Sequence, residues 1–329
     1  DVSHWNGYPD FGILRSKGMR FVFSKATQGT SFVDDTYKRH TRDARAAGLL
    51  TGAYHFFDYN KNGVKQARHF VKTVRRSTGM GSILPLVVDV ETLKSLGTPD
   101  ISRARARLHA MLDELYRLTG RYPMIYTSRH MWQKVVGAPT SFGRYPLWVA
   151  CWKCDDVHLP RGWSGWDFWQ WGQAKFGVGA KLDGNVYRST FSRLKQERQR
   201  SMRLAGGATW TRSRSVQSDL RGFDGSQVRY AIGDGSWGPW LPYDRWFDLK
   251  LTGEQGKQDV RIQLRSFRGV KSPKLLGSIK LDDVAPRVSG PKVKLQAGVR
   301  VASSGKRVPA TVAVSASDAT SGPVSYTHL

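Results

Sequence analysis

The chain divides into an α/β region followed by an all-β sandwich region, and three observations predict this. Up to about residue 191, short apolar runs alternate with amphipathic stretches. Beyond residue 207 the pattern changes to short alternating strands separated by glycine turns. Between the two lies a charged stretch, Arg193 to Arg203, running into Gly206-Gly207, which reads as a linker. The division suggests units at 1–198, 206–285 and 286–329. A chain of 329 residues has two or three domains as its natural expectation.

The apolar runs of the first region are Phe21 to Phe23, Gly52 to Phe57, Ile83 to Val90, Pro123 to Tyr126, Leu147 to Ala150 and Phe168 to Trp171. Several are apolar throughout, as expected of parallel strands covered on both faces. Between them, Asp34 to Ala47, Lys61 to Arg76 and Ile101 to Thr119 have helical spacing. In the last, Leu108, Met111, Leu112, Leu115 and Leu118 recur on one face. Alternation of this kind suggests a small β/α barrel or an open α/β sheet. In the second region, Val228 to Ile232 and Val260 to Leu264 alternate, and Asp224-Gly225 and Gly233-Asp234-Gly235 mark turns. The segment from Lys292 to Tyr326 has too few strands for a complete sandwich and reads as truncated.

The formal net charge is +26. Such a field attracts polyanions, with nucleic acid and an anionic bacterial wall as candidates. The basic residues are spread along the chain, which argues against a dedicated nucleic-acid site. No apolar stretch of about 18 residues exists, so no membrane-spanning helix is expected. No signal peptide is present, since Asp1 already belongs to a structured motif, and the segment before it is expected to have been removed or to lie outside this sequence. Cys151 and Cys154 are two loop thiols or a local disulfide, because no further pair supplies a zinc site. No phosphate loop or nucleophile elbow appears. Neither metal nor cofactor is therefore expected.

The sharpest chemical signal is Leu84-Pro85-Leu86-Val87-Val88-Asp89-Val90-Glu91. Carboxylates at i and i+2 of a strand project to one face, about 6.6 Å apart along the backbone. Such proximity on a buried strand should raise one pKa, and glycoside hydrolysis uses a protonated and an ionised carboxyl together. Spacing alone leaves open a metal site or two solvated acids. Asp1 and Asp183 can converge on the same rim if the runs are barrel strands, although on spacing alone Asp183-Gly184 reads as a turn in preference to a site. Asp58 reads as a cap or loop residue, and His4 and His55 as structural. Trp5, Tyr54, Phe56, Tyr126, Trp148, Trp152, Trp169 and Trp171 cluster at strand ends. Aromatic faces there suit sugar C–H faces, although core packing accounts for about half of such residues.

Taken together, several motifs resemble glycoside hydrolase family 25, the Chalaropsis-type lysozymes. They are Asp1-Val2-Ser3-His4-Trp5-Asn6-Gly7, Phe23-Ser24-Lys25-Ala26-Thr27-Gln28-Gly29, Gly52-Ala53-Tyr54-His55-Phe56, Asp89-Val90-Glu91, Ile125-Tyr126-Thr127, Leu147-Trp148-Val149-Ala150, Trp169-Gln170-Trp171 and Asp183-Gly184-Asn185. The resemblance covers residues 1 to 191 and implies a modified, irregular β/α (TIM-like) barrel. It implies cleavage of the β-1,4 bond between N-acetylmuramic acid and N-acetylglucosamine. Glu91 would be the general acid, Asp89 would assist through the substrate N-acetyl group, and Asp1 and Asp183 would complete an acidic floor. Tyr54, Tyr126, Trp152, Gln170, Lys25 and Phe56 would contact the glycan.

The second region is similar to bacterial immunoglobulin-like repeats in Trp237-Gly238-Pro239-Trp240-Leu241-Pro242-Tyr243, Ile279-Lys280-Leu281-Asp282 and Pro286. Ser315 to Gly322 looks like part of another repeat. This likeness implies spacing or wall attachment. The expected partners are therefore peptidoglycan glycan strands and anionic wall polymers, and the expected location is secreted or wall-associated. The competing reading is a non-catalytic wall-binding protein on a hydrolase scaffold.

Overall fold

In the computed structural model, residues 1–81, 83–198 and 200–285 are described, with four strands beyond them at Arg287–Val288, Lys292–Leu295, Ala310–Ser317 and Val324–His328. The repeat likeness at Pro286 and at 318–322 lies outside the described residues.

Eight strands form one curled sheet: β1 (Phe21–Gln28), β2 (Phe32–Val33), β3 (Leu50–Phe56), β4 (Val87–Asp89), β5 (Met124–Thr127), β6 (Leu147–Ala150), β7 (Phe168–Lys175) and β8 (Lys181–Tyr187). Their order is β2-β1-β3-β4-β5-β6-β7-β8. The run from β1 through β7 is parallel, and the outer strands β2 and β8 are antiparallel to their neighbours. The result is a mixed α/β half-barrel in which strand–helix alternation stops after β6. The N-terminal segment spans the gap between the sheet's two sides. Val2 bridges Ser24 of β1 in parallel, and the backbone nitrogen of Asp1 donates to the carbonyl of Asp183 on β8 at 3.2 Å.

Side-chain parity sorts the two faces. Phe23, Val87, Met124, Trp148 and Phe168 pack together on the concave face. Val88, Ile125, Leu147 and Val149 face outward into the helical layer. α1 (Phe11–Ser16) and α2 (Tyr37–Ala46) precede α3 (Gly63–Ser77), α4 (Ile101–Thr119) and α5 (Arg129–Val136), and the last three belong to that layer. Asn62, Asp100 and Ser128 cap the starts of these helices with side-chain oxygens on the third backbone N–H beyond. Gly120 and Gly137 end α4 and α5 in the left-handed conformation.

The linker expectation needs correction. Phe191–Arg198 is helical, and Leu194 is 1% exposed because it plugs the concave core beside Phe168. Ser201–Leu204 is a strand that pairs antiparallel with Ser215–Arg221 of the following region. That region consists of a five-stranded and a three-stranded sheet. Leu204, Val216, Leu220, Val228, Leu249, Ile262, Leu264 and Ile279 from the two sheets form one apolar cluster. It abuts the end of α4. The Tyr116 hydroxyl donates to the Asp224 carbonyl at 2.7 Å, Tyr122 N–H to Asp224 Oδ2 at 2.9 Å, and Arg268 pairs with Asp113 at 2.9 Å.

Candidate active site

Asp89 is the last ladder residue of β4, and Glu91 follows beyond the strand end. The paired strand is shorter than the apolar run suggests, because Ile83 to Leu86 approach it without joining the ladder. Both acids line a cleft of about 270 Å³ with Asp1, Tyr54, Tyr126, Trp148, Trp152, Gln170, Gln173 and Asp183. Four acids separated by as many as 182 positions thus meet at the carboxyl ends of the parallel strands, where open and closed α/β sheets place reactive groups.

Electrostatics distinguish the acids. Asp89 is 5% exposed, and its Oδ1 has no hydrogen-bond partner among the described residues. Burial, reinforced by Glu91, pushes its carboxyl well above the usual carboxylate range, while Lys25 opposes the shift. Glu91 is only half-buried, and its carboxyl is also raised, chiefly by burial. Lys25 again opposes that shift and Asp183 adds to it. Two carboxyls this close and this dry behave as one titrating unit.

Gln170 on β7 organises the opposite wall. Its Oε1 accepts from Tyr126 Oη at 2.9 Å and from Trp152 Nε1 at 2.7 Å, and its Nε2 donates to Asp1 Oδ2 at 3.1 Å. Asn185 Nδ2 donates to the same Asp1 oxygen at 3.1 Å, and Asn185 Oδ1 accepts from Trp148 Nε1 at 2.9 Å. This chain of bonds fixes the Asp1 carboxylate and three aromatic rings relative to one another.

Lys25 and Phe56 do not line the cleft. Lys25 is buried, with Nζ donating to Gln28 Oε1 at 2.8 Å and lying 5.1 Å from the Phe56 ring centre. Its charge opposes the upward shift of Asp89 and Glu91. The turn expectation for Asp183-Gly184 is also overturned, since both lie inside β8. A Cβ at Gly184 would come within 2.1 Å of the Trp171 ring, so glycine is required there by close approach.

Trp5 is 83% exposed and outside the cleft. His55 is structural, bonded to Thr27 and Gln66 and pushed by burial down to about 3. Asp58 is a loop acid whose Oδ1 accepts from Asn60 N–H. Sequence reasoning missed Gln173, which carries no motif signal, and Asp34. The Asp34 carboxylate accepts from His4 and Thr36, backbone and side chain alike. Burial raises it, but those bonds prevail and hold it below the usual range.

Cys151 and Cys154 form a disulfide. With His158 they are the one group among the described residues whose ligand atoms could meet around a metal, and the disulfide occupies both sulfurs.

A dry carboxyl pair at the mouth of a curled parallel sheet, faced by aromatics and further acids, defines a carbohydrate-hydrolase type of site. The sequence profile of Glycosyl hydrolases family 25 matches residues 1–179, and the chain belongs to that family. It is 30% identical over 202 residues to Lysozyme M1 of Streptomyces globisporus, covering 59% of this chain and 68% of that protein. It is 33% identical over 176 residues to an N,O-diacetylmuramidase of Arthroderma benhamiae, covering 52% and 74%. Among solved structures, a family GH25 lysozyme from Aspergillus fumigatus superposes with a TM-score of 0.55 at 29% identity, covering 60% of this chain and 97% of that one. The bacterial lysozyme from Streptomyces coelicolor gives 0.54 at 30% identity, covering 59% and 93%.

Proposed function

We propose that the chain is a lysozyme that hydrolyses the β-1,4 bond between N-acetylmuramic acid and N-acetylglucosamine in peptidoglycan. The observation that carries this is the desolvated Asp89/Glu91 pair in an open, aromatic-walled cleft. Glu91, on the more exposed side, donates the proton to the leaving glycosidic oxygen. Asp89 acts on the substrate N-acetyl group from below. Asp1 and Asp183 hold the floor acidic, and Tyr54, Tyr126, Trp152 and Gln170 bind the sugar rings. A binding protein without chemistry gains nothing from a buried carboxyl oxygen that no donor among the described residues satisfies.

The half-barrel is read as an irregular TIM-like barrel spanning 1–198. The all-β unit at 206–285 and the start of a further one at 286–329 are read as immunoglobulin-like spacers. The basic surface would hold the enzyme to anionic wall polymers outside the cell. Clearing of a peptidoglycan suspension, followed by mass analysis of the released reducing ends, tests the reading. N-acetylmuramic acid at the new reducing end is expected. N-acetylglucosamine there, or no release, would overturn it.

A further inference from the structure

We propose that the Cys151–Cys154 disulfide is a positioning element for substrate, holding Trp152 as a wall of the cleft, and that its reduction weakens glycan binding while leaving bond cleavage intact. This rests on reading the cleft as the glycan-binding site. Trp152 lies inside the Cys-Trp-Lys-Cys ring, just past the end of β6 at Ala150. It is 50% exposed, so packing alone does not hold it. Its indole N–H nevertheless reaches Gln170 Oε1 at 2.7 Å, on the atom that also receives Tyr126 Oη.

The backbone around the ring explains how this aim is kept. Cys151 N–H donates to the Gln170 carbonyl at 3.1 Å, and the Cys151 carbonyl accepts from Trp169 Nε1 at 2.8 Å. The near end of the ring is therefore anchored to β7. The far end is held more loosely, by a single longer bond from Lys153 N–H to the Trp171 carbonyl at 3.4 Å. Lys153 also sits at φ +54°, the left-handed region that a residue with a side chain avoids. The disulfide closes the loop across this unfavourable turn. Without it the turn can relax toward ordinary φ, and the exposed indole exchanges Gln170 for water. Among the described residues no hydrogen bond or ion pair joins Asp89 or Glu91 to the ring, although Trp152 shares their cleft, and Asp1 keeps its bonds from Gln170 and Asn185. Loss of Trp152 should thus appear in KM and spare kcat.

Reduction by a dithiol balances simply. A reagent thiolate attacks the Sγ of Cys154, the more exposed sulfur, and the Cys151 thiolate leaves and takes a proton. The second reagent thiol displaces Cys154 and departs as a cyclic disulfide. Two electrons and two protons pass to the protein.

The test uses the full chain as the oxidised form, the dithiol-reduced form and the Cys151→Ser/Cys154→Ser double variant, each with a soluble glycan oligomer. Reduction and the double variant should each raise KM about tenfold, equivalent to about 1.4 kcal/mol, with kcat within twofold. Trp152→Ala should show the raised KM already and no further response to dithiol. Acrylamide quenching, compared between wild type and Trp152→Phe, should show Trp152 becoming more accessible on reduction. This readout needs no turnover, so it tests the positioning even if the oxidised enzyme cleaves nothing, an outcome that would instead overturn the hydrolase reading. An unchanged KM, a fall confined to kcat, a Trp152→Ala variant that still responds, or unchanged quenching would each overturn the proposal.

Discussion

Replacing Asp89 by asparagine should make the protein more stable and nearly inactive, and the stability gain should grow with pH. Asp89 is 5% exposed, its Oδ1 has no partner among the described residues, and burial with Glu91 raises its carboxyl well above the usual range. In the unfolded chain an aspartate ionises near pH ~3.9. A raised folded pKa therefore contributes stability that is fully present below that pH. It is lost as pH rises through the folded pKa. Each unit of elevation costs about 1.36 kcal/mol above the window, and an unsatisfied buried polar group costs about 1–3 kcal/mol. Lys25 offsets part of this. The neutral isostere should therefore gain about 1–3 kcal/mol near pH 8 and almost nothing near pH 3. In a domain of this size about 1 kcal/mol moves Tm by about 2–4 °C. Thermal unfolding of both proteins at the two pH values, with glycan hydrolysis measured on the same samples, provides the check. A Tm difference that does not widen with pH refutes the burial argument. Activity within tenfold of wild type refutes the role of the pair.

Glu91→Gln should fold normally and lose at least about 10²-fold in lysis, the usual scale of general acid catalysis. Near-normal lysis by the purified variant would remove Glu91 from that role. A fragment ending at residue 198 should still cut peptidoglycan but melt several degrees lower, because Tyr116, Tyr122 and Asp113 lose their partners at Asp224, Phe267 and Arg268. Calorimetry beside a turbidity assay would show it, and an unchanged Tm would make those contacts incidental. Added salt should slow lysis of intact walls more than hydrolysis of a short neutral glycan, since exposed charges are screened beyond about 8–10 Å. Equal losses would place the effect of the +26 charge in the cleft or in folding.

What was legible in the sequence was whatever local periodicity encodes. The spacing of Leu108, Met111, Leu112 and Leu115 predicts a helix over Ile101–Thr119, and the helix has those bounds. The i, i+2 parity of Asp89 and Glu91 predicts one shared face, and both line one cleft. Motif order supplied the family where periodicity could not.

The misreadings arose where a residue's environment comes from distant chain. Arg193 to Arg203 looks solvated by composition, yet Leu194 plugs the core and Ser201–Leu204 finds a partner strand. Asp183-Gly184 has turn spacing, yet the Trp171 ring presses where a Cβ would stand.

The sequence by itself determined the strand–helix alternation from Phe21 to Ala150, the bounds of the helix Ile101–Thr119 and, through its motifs, the family. Only the tertiary structure decided that Gln170 ties Tyr126, Trp152 and Asp1 into one wall, and that Asp89 is dry while Glu91 is half-open. Hydrogen-bond partners and desolvation depend on atoms brought together from more than 150 positions away, and periodicity along the chain carries no record of them.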